Sequence, residues 1–402
     1  MKGDSTLSIR RRTALRALAG MAAVGGSAAV VGAGRDSRPV ERDDEEALDE
    51  LPLDDDAQND DGAEVPPACD FGAIVEDVMD SVVTVRVFDQ HDREFVQGSG
   101  WVYDRDGDVV DVATNWHVVF AAIGADVRFG RDDWRPVAQL LGADQYSDLA
   151  VLRIEDAPAY AEPLSITDEY PNQGDPVAAL GAPIGLEGSI TTGIVSAVDR
   201  STTVAFEYFM YNVPSTIQID AATNPGNSGG PLVDCGGDVV GVNFAGTPPV
   251  LAENINFAVS TTMIERIVPE LVDTGSFEHP YLGMHGMTLS PMMSRLNGVD
   301  ETMSGVYVEL TVDGFPADVF LEGTASVDRE TGIPIGGDVI LAADGTDVAS
   351  ADALRNYLFA ETRPEETIEL TILRHGDERE IPVTLDARPD ELESIAVQES
   401  TM

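Results

Sequence analysis

Short runs of β-branched and aliphatic residues, each closed by a turn residue, dominate the chain from about Cys69 to Leu271. Gly, Pro, Asn and Asp stand between the runs, because tight turns favour them. The predicted strands cover residues 81–87, 108–114, 149–154, 193–198, 217–219 and 239–243. Regular short strands of this kind predict an all-β barrel or sandwich, and the segment is long enough for two barrels of about six strands each. The fold class is therefore mainly β.

The chain is strongly acidic, with 72 Asp and Glu against 24 Lys and Arg and a formal net charge of −48. This excess argues against a nucleic-acid-binding protein, because phosphate contacts need clustered Lys and Arg. A compact state with this charge would repel itself in dilute buffer, whereas molar salt shortens the Debye length to about 3 Å. Since 43% of the residues are hydrophobic, the composition predicts a folded protein adapted to high salt, as in a halophilic organism.

The N-terminus combines a basic start with an uncharged stretch. Residues 9–15 (IRRRTAL) precede residues 17–34, which are rich in Ala, Gly and Val. This pattern predicts a twin-arginine export signal over residues 1–34, and hence an exported, extracellular or cell-surface protein. A membrane anchor stays open, because a helix of this length would span roughly 27 Å of a bilayer core about 30 Å thick.

An acidic segment separates this start from the predicted strands. Residues 35–68 are rich in Asp and Glu, and we expect a solvated disordered linker there in preference to a calcium site. Cys69 follows the linker, and Cys235 lies in the later part of the first domain. In an exported protein two cysteines suggest a disulfide, although sequence alone leaves open whether their Cα atoms come within ~7 Å.

A Gly-rich segment carries the candidate nucleophile, Ser228, in Gly226-Asn227-Ser228-Gly229-Gly230. A serine hydroxyl is a weak nucleophile unless a base takes its proton, and it must lie where backbone N–H groups meet a developing oxyanion. Flanking glycines allow the sharp turn that aims those groups. We expect the N–H groups of Gly226 and Ser228 to be the donors, although a serine in a Gly-rich turn is also common in ordinary loops.

The candidate base is His117, which follows a predicted strand in the segment 113–119 (ATNWHVV). The other histidines have no such setting, and we expect structural or surface roles for them: His91, His279, His285 and His375. Asp148 precedes the predicted strand over residues 149–154. A buried Asp at that position could hold the imidazole tautomer and stabilise the imidazolium. With so many acids in the chain, Asp148 is the weakest of the three assignments from chemistry alone.

Several segments in order resemble the HtrA/DegP family of trypsin-fold proteases, over residues 71–385. They are residues 97–100 (QGSG), 114–119 (TNWHVV), 148–152 (DLAVL), 181–186 (GAPIGL) with 192–196 (TGIVS), and 218–232 around the serine. The resemblance implies a chymotrypsin-like double β-barrel protease domain over residues 69–272. It implies a catalytic triad of His117, Asp148 and Ser228, and an oxyanion hole formed by Gly226, Asn227 and Ser228.

The resemblance also implies a substrate pocket. It places Ala222 at the base of the primary specificity pocket, with Phe244, Ala245 and Gly246 as a wall strand that would pair with the substrate backbone. Tryptic enzymes carry an Asp at the base of this pocket, whereas Ala222 has no charge. We therefore expect cleavage after small or medium apolar residues.

Some positions depart from the family. Trp116, Phe244 and Asn256 stand where smaller or more polar residues are usual, which bears on the choice of substrate side chain. Asn227 precedes the serine as in HtrA proteins, whereas digestive relatives carry an Asp that pairs with a new N-terminus after zymogen cleavage. The resemblance thus implies control by loop ordering or a ligand.

A second domain begins after the linker around residues 270–278. Its order of strand, helix over residues 350–360, strand over 367–374 and hairpin at 375–377 resembles the α+β PDZ domain that follows HtrA protease domains. The predicted domain covers residues 278–386, and residues 387–402 form a predicted acidic tail. The loop of Tyr281, Leu282, Gly283 and Met284 would bind a peptide's C-terminal carboxylate. A structural spacer without a ligand stays open as an alternative.

The sequence thus predicts an ATP-independent serine endoprotease for misfolded or damaged exported proteins, whose PDZ domain binds C-terminal peptides. The alternative is a chaperone or scaffold that retains the protease fold without cleaving. The sequence contains no metal, nucleotide or haem motif, so no cofactor is expected. Phe71 matches an aromatic residue in the region through which HtrA proteins form trimers, so the resemblance implies a homotrimer.

Overall fold

The computed structural model describes residues 69–389, except residues 90, 92–93, 121, 131–132, 182–187, 207–208, 225 and 247–253. The predicted signal or anchor, the acidic linker and the tail beyond residue 389 lie outside the described residues. Within them, no helix is both long and apolar enough to cross a membrane. The described residues belong to one compact unit, which contains two successive domains.

The first domain begins with a helix, α1 (Phe71–Val78), and a 3-10 turn at Met79–Ser81. A seven-stranded antiparallel sheet follows, in the order β5-β4-β1-β2-β3-β7-β6. Its strands are β1 (Val82–Phe88), β2 (Glu94–Asp106), β3 (Val109–Thr114), β4 (Gly124–Phe129), β5 (Asp133–Pro136), β6 (Gln139–Asp144) and β7 (Leu149–Ile154). A four-residue helix, α2 (Trp116–Val119), follows β3.

The second sheet of this domain is a closed barrel with strands in the order β10-β13-β12-β11-β8-β9. These strands are β8 (Pro176–Gly181), β9 (Ser189–Phe206), β10 (Phe209–Ile219), β11 (Pro231–Val233), β12 (Val239–Gly246) and β13 (Asn256–Ser260). The prediction of about six strands per barrel holds for this sheet. The first sheet has one more, because the short strand β5 pairs along the outer edge of β4.

A helix, α3 (Thr261–Asp273), closes the first domain and packs against β6 and β7. Its apolar residues recur at helical spacing and are buried together: Met263, Ile264, Ile267, Val268 and Leu271. Burial of such a face is the main source of stability for a helix in a folded protein.

The second domain contains the sheet order β15-β16-β19-β21-β22, with β20 paired to β19. Its strands are β14 (Pro280–Tyr281), β15 (Met284–Thr288), β16 (Val306–Thr311), β17 (Ser326–Val327), β18 (Pro334–Ile335), β19 (Val339–Ala343), β20 (Thr346–Asp347), β21 (Thr367–Arg374), β22 (Asp377–Thr384) and β23 (Asp386–Ala387). Its helices are α4 (Pro291–Asn297), α5 (Pro316–Phe320) and α6 (Ala351–Glu361).

The end of the second domain differs from the prediction. Ala387 was expected to begin the acidic tail, but it forms β23 with Asp386 and pairs with β14. Strand pairing of the backbone outweighs the weak β-propensity of Asp at this position. The pairing brings the end of the domain back to its first strand.

The helix α6 joins the two domains. Asn356 accepts a hydrogen bond from the Ser215 N–H at 2.9 Å and donates to the Asp199 carbonyl at 2.6 Å. Arg266 on α3 donates to the Ala360 carbonyl at 2.8 Å. Phe359 belongs to the same buried cluster as the apolar residues of α3. The second domain thus contributes to the core of the first.

One cysteine lies at the start of the first domain and the other in its later part. Cys69 and Cys235 form a disulfide with a Cα–Cα separation of 5.1 Å. The bond ties the residues before α1 to the turn after β11.

Candidate active site

The pairing of β3 with β7 brings the candidate histidine and aspartate together. Thr114 at the end of β3 pairs with Ala150 on β7, so the helix after β3 lies beside the turn before β7. His117 Nδ1 lies 2.7 Å from Asp148 Oδ2, and the His117 N–H donates to Asp148 Oδ1 at 2.9 Å. Both carboxylate oxygens therefore bind the same residue.

The backbone of Asp148 is held as firmly as its side chain. The carbonyl of Asp148 accepts from the Trp116 N–H at 3.0 Å and from Asn115 Nδ2 at 2.9 Å. Its φ of +58° is in the left-handed region, which Asp tolerates better than most residues. Asp148 is 0% exposed, and a buried carboxylate at Nδ1 favours the tautomer that leaves Nε2 free to accept a proton.

The loop that carries Ser228 is held between the two sheets. The Ser99 N–H on β2 donates to the Ser228 carbonyl at 2.7 Å. Ser99 Oγ donates to the Gly226 carbonyl at 2.7 Å. On the other side, the Gly229 N–H donates to the Asn243 carbonyl on β12 at 2.8 Å. The serine thus lies at the junction of the first sheet and the barrel. The histidine and the aspartate lie at the edge of the first sheet that faces this junction.

Glycine is required at Gly229. Its φ is +88°, and a Cβ atom there would collide with the Ser99 carbonyl oxygen and with Thr114 Oγ1. Thr114 Oγ1 itself donates to that carbonyl at 2.7 Å. A side chain at Gly229 would therefore displace the strand end that carries His117.

Two backbone N–H groups of the loop are candidates for the oxyanion hole. Within the described residues, neither the Gly226 N–H nor the Ser228 N–H donates to a protein acceptor. The Asn227 N–H, which was predicted with them, donates to the Asn224 carbonyl at 2.9 Å. The backbone N–H of Asn227 is thus used within the turn. Gly226 and Ser228 remain the candidate oxyanion donors.

The hydroxyl of Ser228 has an acceptor other than the histidine. Ser228 Oγ donates to the Phe244 carbonyl at 2.8 Å. Phe244 lies at a bulge of β12, between the residues Asn243 and Ala245 that pair with β13. The bulge turns this carbonyl out of the strand pairing and toward the serine.

The predicted pocket residues lie around this bulge. Ala222 is exposed, and its carbonyl accepts from Thr191 Oγ1 at 2.7 Å. Asn256 supports the pocket base, because its Nδ2 donates to the Ala221 carbonyl at 2.9 Å. The Phe244 ring is 3% exposed. Ala245 and Gly246 continue β12, and their side chains lie outside the described residues.

Sequence reasoning missed an aromatic pair behind the candidate triad. Trp116 packs edge-on against Tyr211 of β10, with ring centroids 5.5 Å apart. Burial raises the pKa of the Tyr211 hydroxyl well above its usual range, and the charge and hydrogen bonding of the Asp148 carboxylate raise it further. Tyr211 is thus a neutral donor beside the Asp148 carboxylate. The unusual Trp116 was the one signal of this contact in the sequence.

A second acid–imidazole pair lies at the start of the turn that ends in Asp148. Asp144 Oδ1 lies 2.9 Å from His279 Nε2, and Asp144 Oδ2 accepts from the Ser147 N–H at 2.9 Å. Burial alone would raise the pKa of Asp144, but the charge of His279 and hydrogen bonds from His279 and Ser147 outweigh burial and lower that pKa. The ring of His279 packs against Tyr146 and Phe359. His279 therefore has a structural role, as predicted for the histidines other than His117.

The predicted carboxylate loop opens a groove on the second domain. The groove lies between this loop, β15 and α6, and its lining includes Leu282, Met284, Leu354 and Leu358. The carbonyls of Leu282 and Gly283 accept from Ala317 and Val312 at 2.8 Å each, so they face the interior of the domain. Gly283 has a φ of +79°, and a Cβ atom there would collide with the Phe315 side chain.

Family models match both domains. Residues 98–242 match a trypsin-like peptidase domain, and residues 299–385 match a PDZ domain. With the sheets described above, these matches confirm the predicted fold class.

Curated relatives extend the similarity across both domains. The chain is 31% identical over 313 residues to the serine protease Do-like HtrA of Bacillus subtilis, covering 74% of this chain and 65% of the relative. It is 35% identical over 306 residues to a probable periplasmic serine endoprotease, DegP-like, of Chlamydia trachomatis, covering 74% of this chain and 56% of the relative. The chain thus spans between about half and two thirds of the length of these relatives.

Solved structures show the same arrangement. The HtrA-type protease AlgW with a bound tripeptide is 26% identical, with a TM-score of 0.64, and the match covers 80% of this chain and 98% of that one. The serine endoprotease of Yersinia pestis is 26% identical, with a TM-score of 0.55, and the match covers 81% of this chain and 100% of that one. The chain has the domain order of these proteases, with a trypsin-like peptidase domain before a PDZ domain.

Proposed function

We propose that this chain is a serine endopeptidase of the HtrA type, which hydrolyses peptide bonds in misfolded or damaged exported proteins without ATP. The observation that carries the proposal is the contact of both Asp148 oxygens with His117, at 2.7 and 2.9 Å. This contact lies at the junction of the two sheets, where the Ser228 loop is also held. A purely structural ion pair would not need a serine on a glycine-rich loop beside it.

Each residue has a defined step in the reaction. Ser228 Oγ attacks the scissile carbonyl carbon while its proton passes to Nε2 of His117, and Asp148 stabilises the resulting imidazolium. The N–H groups of Gly226 and Ser228 stabilise the oxyanion. His117 then gives the proton to the leaving amine as the C–N bond breaks. A water molecule, activated by the same imidazole, hydrolyses the acyl-enzyme.

One observation supports the alternative function, a chaperone that does not cleave. It is the hydrogen bond from the Ser228 hydroxyl to the Phe244 carbonyl. Since Ser228 Oγ donates to the Phe244 carbonyl, the hydroxyl must turn to His117 before it can attack. A substrate strand pairing along β12 would compete for the backbone groups around Phe244. We infer that substrate binding at this bulge releases the hydroxyl.

The pocket supports a preference for small or medium apolar residues before the cleaved bond. Ala222 brings no charge to the pocket base, and the nearby Asn256 amide is occupied with backbone and Thr223 partners. A peptide library read by mass spectrometry tests this preference, and strong cleavage after Arg or Lys would contradict it.

The cellular setting belongs to the same proposal. The curated relative from Chlamydia is described as periplasmic, which supports export of this chain through the predicted signal over residues 1–34. The net charge of −48 supports activity in high salt. A homotrimer remains a prediction, and light scattering of the active form in high salt tests it.

The decisive experiment compares casein cleavage by the unchanged protein and by Ser228→Ala in about 3 M NaCl, where the surface charge is screened. The matched control is Ser326→Ala, which removes an exposed hydroxyl from the small hairpin of the second domain. We expect Ser228→Ala to abolish cleavage and Ser326→Ala to leave it intact. Equal cleavage by all three proteins would overturn the proposal. Absence of cleavage with an intact circular dichroism spectrum would favour the chaperone.

A further inference from the structure

Two arginines line the groove of the second domain, and they differ in their partners. Arg355 on α6 donates to Asp352 Oδ1 at 2.8 Å and to Ser201 Oγ of the first domain at 2.7 Å. The charge of Arg355 is thus offset by a neighbouring carboxylate, and its Nη1 atom makes both of these hydrogen bonds.

Arg388 has no such acid among the residues that the structure describes. Among the described residues it makes no salt bridge, and its Nε is buried without a hydrogen-bond partner. The guanidinium stacks instead on two rings, 4.1 Å from the centroid of Tyr146 and 5.3 Å from that of Tyr281. In a chain with 72 acids and 24 basic residues, a partly buried arginine without an acid partner is unexpected, because burying an unpaired charge is costly.

The position of Arg388 is set by the end of the domain. β23 pairs with β14, where Ala387 faces Pro280, and the Arg388 N–H donates to the His279 carbonyl at 2.8 Å. β14 leads directly into the loop of residues 281–284. Arg388 is therefore fixed at the end of the groove where that loop opens.

The first domain holds the arginine in this place. Tyr146 lies in the turn between Asp144 and Asp148, and its ring supports the guanidinium from the side of the peptidase domain. Stacking of this kind orients an arginine and leaves the edge of the guanidinium able to bind a carboxylate.

We propose that Arg388, held by Tyr146, is the cation that binds the α-carboxylate of a peptide in this groove. The inference rests on the predicted binding of C-terminal peptides by the second domain. It names Arg388 as the residue through which that binding depends on a free carboxylate. The loop N–H groups and the guanidinium bind the carboxylate together. Because Tyr146 belongs to the first domain, the site is complete when the two domains are docked.

The test uses the full chain with Ser228→Ala, so that peptides are not cleaved. Two fluorescein-labelled decapeptides share one sequence with an apolar last residue, and one ends in a free carboxylate and the other in an amide. Fluorescence anisotropy gives Kd for each. A charge-assisted hydrogen bond is worth about a factor of ten or more, so Arg388→Met should weaken binding of the free acid about tenfold and leave the amide within about twofold.

Two further variants separate the roles of the residues. Tyr146→Leu removes the supporting ring and should weaken binding of the free acid several-fold. Arg379→Met is the matched control, because Arg379 is an exposed arginine on β22 that is not among the groove residues. It should bind both peptides as the parent does.

The outcomes distinguish the inference from the proposal on which it rests. Binding of neither peptide by the parent would contradict peptide capture by the second domain itself. Preference for the free acid that survives Arg388→Met would overturn the inference alone. If that variant does not fold, phenylglyoxal labelling of Arg388 in the parent decides. The free acid should slow labelling and the amide should not, and equal labelling rates would overturn the inference.

Discussion

The buried pair of Asp144 and His279 allows a quantitative prediction. His279→Phe replaces the imidazole by a ring of similar shape among Tyr146, Phe277 and Phe359. The substitution leaves the Asp144 carboxylate buried, at 6% exposure, without its imidazole partner. The carboxylate keeps the hydrogen bonds from the backbone N–H groups of Tyr146 and Ser147. Removal of one partner of a buried pair costs about 3–5 kcal/mol. Because the Ser147 N–H remains at 2.9 Å, we expect a loss of free energy of unfolding near the lower limit, about 3 kcal/mol.

The loss should depend on pH with a defined sign. In the unchanged protein the pKa of Asp144 is lowered from 3.8, so its stabilisation is complete above that pH and is lost as the pH falls through the lower folded-state pKa. Without His279, burial dominates and raises the pKa of Asp144. In the variant, stability is therefore lost as the pH rises through this raised pKa. The difference between the two proteins should be larger at pH 7 than near pH 4.

Urea unfolding, followed by tryptophan fluorescence at both pH values, measures the difference. His375→Phe is the control, because the side chain of His375 is 67% exposed. The double variant Asp144→Asn with His279→Phe should recover part of the loss, because it leaves no buried charge unpaired. A loss below about 1 kcal/mol at pH 7, an equal loss at both pH values, or additive effects in the double variant would refute the reasoning.

Three further predictions concern the loop, the aromatic pair and the disulfide. Gly229→Ala should abolish casein cleavage and lower the free energy of unfolding, because its Cβ collides with Ser99; wild-type activity would contradict this. Tyr211→Phe should lower kcat with little change in KM and shift the pH profile of kcat, since it removes a donor beside Asp148; an unchanged pH profile would argue against a positioning role. Replacing Cys69 and Cys235 with Ser opens a loop with a sequence separation of 166 and should cost up to about 5 kcal/mol by loop entropy; an unchanged urea midpoint would exclude this.

Local signals predicted most of the elements. Residues 149–154 were predicted as a strand and form β7 with these bounds, because the run is apolar and is buried on both faces. The helix predicted from residue 350 begins at Ala351, where Ser350 Oγ caps it by accepting from the Ala353 N–H at 3.1 Å. The hairpin at His375 and Gly376 follows from two residues with positive φ, which suit a tight turn.

The parts that could not be predicted depend on pairing between distant segments. The additional strand of the first sheet, β5, has only four residues. It is a strand because it pairs with β4. Tyr211 reaches the Asp148 carboxylate, and His279 reaches Asp144, through the packing of separate strands and of the linker between domains. In a chain with 72 acids, no local rule selects which Asp meets which imidazole. The resemblance placed Asn227 in the oxyanion hole together with Gly226 and Ser228. The hydrogen bond from its N–H to the Asn224 carbonyl depends on the conformation of the turn, which the sequence does not show.

The helix α6 contacts both domains, and this limits how the second domain can be exchanged for another. PDZ domains are familiar as portable modules. Here Phe359 is part of the buried cluster of the peptidase domain, and Asn356 bonds backbone atoms of that domain. A foreign PDZ domain grafted after residue 278 would leave that cluster open and those polar groups without their partner. A chimera should therefore take α6, the linker and the turn of residues 144–148 together from the same parent protein.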